Sequence, residues 1–198
     1  MSRRMVLAAV LAASLSVFIL VPAHAKPLSP NYATLKFGGY FPQHGDLDGF
    51  GSGFNGEIAL GRIVAPGFAV EGGLGYFEST GDLVAPGVSG HEKFKVVPLT
   101  LSLKGQTFFE QFEPYAGIGI GAYFIEDEFS GTAPGISGSR SENGAEVGFH
   151  VVLGGNYNVT RHVFFGLEGK YLWLKSDRFG GDVRLDGITL TGNIGFRF

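Results

Sequence analysis

"TLTGNIGFRF" (Thr189–Phe198) ends the chain, and its residues alternate in bulk. Leu190, Ile194, Phe196 and Phe198 share one parity with Gly192, while Thr189, Thr191, Asn193, Gly195 and Arg197 occupy the other. In an extended strand those sets point to opposite faces. A half-apolar strand with an open edge and a bare terminal Phe invites aggregation. A neighbouring strand must therefore cover the edge, and an apolar medium the face.

The other end of the chain sets the compartment. Arg3 and Arg4 precede an almost wholly apolar run from Met5 to Pro22, and Ala23-His24-Ala25 has the small-x-small form of a cleavage site. These features predict a secretory signal cut between Ala25 and Lys26, leaving one domain, 26–198. An uncleaved anchor is the alternative, because the run is nearly long enough to span; helix-breaking Pro22 and the A-x-A pattern weigh for cleavage. The chain has no Cys, which excludes a lipoprotein anchor, disulfides, thiolate metal sites and thiol nucleophiles. Its formal charge is −3, more negative once Arg3 and Arg4 are removed, and nothing suggests a nucleic-acid partner. Charged residues make up only 17 %, below the ~25 % of ordinary soluble domains. Beyond the leader no apolar stretch is long enough for a transmembrane helix. For an exported, apolar, strand-patterned chain the remaining membrane solution is a closed β-barrel, because lipid offers nothing to an unpaired strand edge.

Working back from the terminal strand, period-2 alternation between turn signals gives eight segments: about 31–41, 53–63, 67–78, 92–104, 113–125, 144–158, 162–176 and 184–198. An even number closes an up-and-down antiparallel barrel with both termini on one side. Connections 64–67, 105–113 and 158–162 are the shorter set, although the middle one is not tight. Stretches 42–53, 79–91, 126–144 and 176–183 are mostly longer, polar and rich in Gly, Ser and Pro, as expected of outer loops. The lipid-facing parity carries Leu35, Ile58, Leu74, Leu101, Ile120, Phe149 and Leu167 in successive strands. Tyr76, Tyr171 and Trp173 near the loops, with Phe68, Tyr157, Phe196 and Phe198 near the turns, form two aromatic girdles. Pro98 falls inside the fourth strand, where it predicts a bulge or an unpaired position.

The signal sequence, the eight alternating strands and the terminal aromatic-x-aromatic (Phe196-Arg197-Phe198) resemble the small outer-membrane β-barrel superfamily, which includes the transmembrane part of OmpA and the OmpX and OmpW types. The resemblance covers the whole mature chain, for which the periplasmic domain of full-length OmpA is not expected. It implies an outer-membrane location, surrounding lipid and lipopolysaccharide as partners, and recognition of Phe196 and Phe198 by the barrel-assembly machinery.

The opposite parity builds the interior: Lys36, Glu57, Glu71, Lys104, Tyr115, His150, Glu168, Lys170, Asn193 and Arg197, interleaved with glycines. An eight-stranded barrel is just wide enough for side chains to fill it. A first hairpin centred near Asp46 and Leu47 sets Lys36 opposite Glu57, and a turn near Thr160 sets His150 opposite Lys170, with Glu168 close by. Buried charges need mutual partners, so these residues are expected to form a polar plug. The alternative is that so many inward glycines leave a narrow conduit or a pocket for small molecules, hydrophobic ones among them. A third alternative is a lipid A-modifying enzyme, but His150 is followed by Val151 and Val152 rather than by a Ser, and His44 and His91 stand on loops where Ser and acids are commonplace. No catalytic, cofactor or metal residue is assigned. The acidic loop positions Asp46, Asp48, Asp82, Glu126-Asp127-Glu128, Asp177, Asp182 and Asp186 are open to two readings: cation ligands bridging to lipopolysaccharide phosphates or a solvated acidic surface. Lys93, Lys95, Arg140, Arg178 and Arg184 offer direct contact to such phosphates. The sequence favours a non-enzymatic envelope protein whose outer loops are available to an extracellular ligand. Deleting Phe198 is expected to lower the fraction of chain that reaches the outer membrane; equal recovery of truncated and full-length chain by membrane fractionation would contradict the role given to that residue.

Overall fold

A computed structural model describes residues 29–43, 51–85, 88–133, 136–176 and 183–198. The leader, Ala25 and Lys26 lie outside them. The strands are β1 (Asn31–Pro42), β2 (Gly53–Ala65), β3 (Phe68–Ala85), β4 (Val88–Gln106), β5 (Phe112–Ala133), β6 (Ile136–Asn158), β7 (Val163–Trp173), β8 (Lys175–Ser176), β9 (Val183–Arg184) and β10 (Gly187–Arg197). Eight of these close a barrel in the order β1-β10-β7-β6-β5-β4-β3-β2, every neighbour antiparallel, while β8 and β9 pair as a small ribbon. The edge of the terminal strand is covered by β1 in an unbroken register from Tyr32↔Arg197 to Pro42↔Gly187. No strand of the wall keeps an open edge, which is the condition lipid imposes.

The wall is taller than the sequence suggests. Residues 79–91 and 126–144, expected as loops, mostly continue the ladder, out to Ala85↔Val88 and Ala133↔Ile136. A ladder satisfies its own backbone groups in water as well as in lipid, so nothing obliges it to stop at the membrane surface. The 105–113 connection is also tighter than expected: Phe109 and Phe112 exchange N–H···O bonds of 2.8 Å around Glu110 and Gln111. At the β2–β3 turn the chain reverses through Pro66-Gly67, with Gly67 at φ 80°, the left-handed conformation that glycine tolerates at the third position of a type II turn.

Pro98 pairs with Tyr123 on its β5 side. On its β3 side the ladder lapses between Leu74↔Leu99 and Phe77↔Val96, and resumes in the same register. The outcome is thus an unpaired position without a bulge; the register shift in the wall lies elsewhere, at Ile63 and Ala65 of β2. A Cβ on Gly75 would meet the Pro98 ring and the Gly56 carbonyl at 3.1 Å, so the smallest residue stands where the proline ring needs room.

Outward residues are apolar and uncovered by protein: Leu167 is 73 % exposed and Val147 70 %, and Ile58, Leu74, Leu101, Ile120 and Phe149 are likewise exposed. The girdle residues Phe68, Tyr157, Trp173, Phe196 and Phe198 are also exposed, and Tyr171 tilts against Trp173 with ring centroids 4.5 Å apart. Inside, tyrosine rings lie over bare glycine backbone. A Cβ at Gly61, Gly154 or Gly187 would come within 2.5 Å of Tyr32, Tyr115 or Tyr40 respectively. Gly38 and Gly192 compare the two faces of one strand pair: a Cβ at Gly38 would strike the Leu190 carbonyl oxygen at 1.8 Å, whereas at Gly192 its nearest neighbour is Phe37 O at 4.0 Å. Gly38→Ala is expected to cost about 1–3 kcal/mol, the usual penalty of overpacking, and Gly192→Ala almost nothing, in urea unfolding from lipid vesicles; equal effects would contradict the close approach.

Candidate functional site

The barrel's interior holds the chemistry. Lys36 stands on β1 directly opposite Glu57 on β2, while Glu71 projects from β3, Lys104 from β4, and Glu168 and Lys170 from β7. Period two sends all six inward, where all but the half-buried Lys170 are buried. The Lys36 ammonium donates to Glu57 Oε1 at 2.7 Å, Glu71 Oε1 at 2.8 Å and Glu168 Oε1 at 3.0 Å. Lys104 Nζ lies 2.7 Å from Glu71 Oε1 and 2.8 Å from Glu168 Oε2. Lys170 reaches Glu57 Oε2 at 2.5 Å. Three ammonium groups therefore meet three carboxylates in one connected network. Tyr32 donates to Glu71 and Tyr115 to Glu168, each at 3.0 Å, and the Tyr115 ring lies 4.5 Å below the Lys104 ammonium. Such a network holds because every charge in it is partnered, most of them more than once; a single unpaired charge at this depth would cost several kcal/mol.

Glu168 and Lys170 share a strand face but do not pair with each other; each reaches across the lumen. His150 does not stand opposite Lys170 as expected, because Lys170 pairs with Val152 and His150 with Leu172. The turn causes the difference. Val159 N–H and Thr160 N–H both donate to Val163 O, and Thr160 Oγ1 accepts from His162 N–H and Val163 N–H. This centres the hairpin one residue later and slides the register by two. His150 instead contacts Ser102 Oγ through Nε2 at 2.8 Å, and its Nδ1 has no protein partner.

Arg197 turns inward at the periplasmic end and binds Glu113 Oε2 at 2.5 Å, with its guanidinium 5.0 Å from the Phe164 ring. Glu113 is the second residue of β5 and shares the inward parity of Tyr115, but it stands where the fifth segment and the connection before it meet, and it is not among the expected interior residues. The extracellular half of the lumen is mostly apolar: Tyr40, Phe77, Phe94, Val96, Tyr123, Ile125, Leu172, Leu174 and Leu185 form one buried cluster, with Tyr40 stacked on Phe77 at 4.6 Å and Asn55, Ser79 and Thr189 buried beside it. Parity carried past the charged positions identifies most of these residues. Leu174 and Leu185 join them because the chain leaves the wall after Trp173. There Asp186, expected on a loop, is buried: its Oδ1 accepts Leu174 N–H at 2.9 Å and its Oδ2 lies 3.2 Å from Arg184, while Tyr40 OH donates to Leu185 O at 3.2 Å.

On the outer wall beyond the girdle, Lys93 pairs with Glu78 at 3.0 Å. The Tyr76 hydroxyl, then the Lys93 ammonium, hold the Glu78 carboxyl below the usual carboxylate range. Asp46, Asp48, Asp177, Arg178, Asp182 and His44 lie outside the described residues, and the side chains of Asp82, His91, Asp127, Glu128 and Arg140 are not among those described. Among the described residues no three His, Cys, Asp or Glu side chains gather in a metal-binding group.

The sequence matches the family model for the outer membrane protein beta-barrel domain over residues 6–198. The chain belongs to that family, a protein of the bacterial outer membrane. Comparison with curated protein sequences finds no match. Among solved structures, OprG from Pseudomonas aeruginosa is 16 % identical, with 86 % of this chain aligned to 96 % of that one at a TM-score of 0.61. Neisserial surface protein A is 16 % identical over 85 % of this chain and 97 % of its own, with a TM-score of 0.57. A major outer membrane protein from Thermus thermophilus is 14 % identical over 86 % of this chain and 100 % of its own, with a TM-score of 0.55. At these identities the likeness is one of fold.

Lys36→Met would leave three carboxylates facing two ammonium groups. It is expected to destabilise the barrel by about 3–5 kcal/mol, the usual cost of orphaning a buried charge; a loss under about 1 kcal/mol in urea unfolding would show that the network is not held by charge balance.

Proposed function

We propose that the chain is an exported, non-enzymatic outer-membrane protein: a sealed barrel that holds its outer loops at the cell surface for an extracellular ligand. In this reading the leader is cut between Ala25 and Lys26, Phe196 and Phe198 present the terminal strand to the barrel-assembly machinery, and the wall lies among lipid and lipopolysaccharide. The observation that carries it is the filling of the lumen. The balanced cluster of Lys36, Lys104, Lys170, Glu57, Glu71 and Glu168 spans the middle, and the aromatic and aliphatic cluster around Tyr40 and Phe77 fills the extracellular half. The non-enzymatic part draws on His150: it touches Ser102, while among the described residues no carboxylate meets its Nδ1, the third group that the relay activating a serine needs.

A second reading, a pocket for small hydrophobic molecules, draws on the wall beside Pro98. Tyr76 and Val97 stand where the β3–β4 ladder lapses, and with Lys95, Phe124 and Ala145 they line a cavity of about 490 Å³ on the outer surface. That cavity is open to the side of the barrel, and the lumen behind it is packed by Val96 and Ile125.

Single-channel recording tests the sealed lumen. The refolded mature chain is expected to be silent in planar bilayers, with openings after Lys36→Ala; steady conductance from the parent chain would overturn the sealed barrel and favour a conduit.

A further inference from the structure

Below the ion network, on the periplasmic side, lies a cavity of about 10 Å³ whose wall includes Thr34, Lys36, Glu71, Lys104, Gln106 and Asn156. That is room for one water molecule. Two of the lining side chains are unsatisfied: Thr34 Oγ1 and Gln106 Nε2 make no hydrogen bond to protein, although Thr34 is 4 % and Gln106 6 % exposed. Native proteins seldom leave buried polar atoms without a partner, and an unpaired pair facing one small polar space is how an internal water announces itself.

The chemistry of the wall narrows the guest. An amide nitrogen can only donate and a hydroxyl can do either, so the guest must accept from Gln106 and exchange a hydrogen bond with Thr34. The charged groups in the wall are already engaged with one another: Lys36 with Glu57, Glu71 and Glu168, and Lys104 with Glu71 and Glu168. Their charges balance within the network, so the cavity offers no surplus to hold an ion.

We propose that this cavity is a binding site for a single ordered water that bridges Thr34 and Gln106. Thr34 lies on β1 and Gln106 on β4, two strands separated around the wall by β2 and β3. No ladder joins them, so the water ties the two sides of the barrel together across the lumen.

The test is solid-state NMR of the refolded mature chain in lipid bilayers, with magnetisation transferred from water to the Gln106 side-chain amide, assigned by its loss in Gln106→Leu. A transfer peak from a slowly exchanging water is expected, unchanged when chloride is replaced by a bulky organic anion. Absence of the peak overturns the proposal, and a Gln106 amide shift that follows the anion would show a halide instead. Urea unfolding of Thr34→Val, Gln106→Leu and the double variant gives a second measurement. The double variant is expected to fall no lower than the weaker single variant, because the bridge is lost once; fully additive losses would show that no shared guest connects the two residues.

Discussion

Six charged side chains packed together inside a wall that faces lipid are the constraint on which the rest of this structure depends. Moving even one ammonium or carboxylate out of water costs several kcal/mol after relaxation, and attraction repays that cost only where geometry and hydrogen bonding are nearly complete. Here Lys36 touches three carboxylates at 2.7–3.0 Å, and Glu168, 2 % exposed at its side chain, touches two ammonium groups. Satisfying so many partners at once fixes the strands that carry them. Lys36 and Glu57 tie β1 to β2, Lys104 brings β4 to β3 and β7, and Lys170 carries β7 back to β2. The glycines between these residues leave the space the long side chains occupy.

From that centre the lumen divides by chemistry. Toward the extracellular mouth it is mostly apolar, ending where Leu174 and Leu185 fold inward under the Asp186 clasp. Toward the periplasm it stays polar through Tyr115, Asn193 and the Arg197–Glu113 pair. The exterior inverts this order, presenting Leu, Ile, Val and Phe to lipid between aromatic girdles.

Much of this was legible in the sequence, because a strand carries its environment in every second residue. Parity alone sets Leu35, Ile58, Leu101 and Phe149 outward and Lys36, Glu57, Glu71, Glu168 and Arg197 inward, and the structure has them on those faces. Register was legible only where turn geometry was. Lys36 and Glu57 face each other on a hairpin centre that their spacing suggested, whereas His150 and Lys170 miss each other by two positions, because Thr160 builds a turn that spacing does not reveal. The extended hairpins were hidden by composition. Residues 126–144 are rich in Gly, Ser and charge and so resemble a loop, although the described ladder continues through them on both sides, to Ala133↔Ile136. Cross-lumen pairs such as Arg197 with Glu113 depend on how far the barrel folds back on itself, and no local pattern encodes that.

The claim at the centre of this account is that the lumen is closed between its two halves, and the chain, having no cysteine of its own, allows it to be tested directly. A single cysteine placed at Val96, above the ion network, or at Thr34, below it, can be challenged in oriented proteoliposomes with a membrane-impermeant thiol reagent added to one side. Reagent from the extracellular side should leave Thr34→Cys unlabelled, and reagent from the periplasmic side should leave Val96→Cys unlabelled. Labelling of either position from the opposite side would mean that solutes cross the barrel, and would contradict the sealed interior.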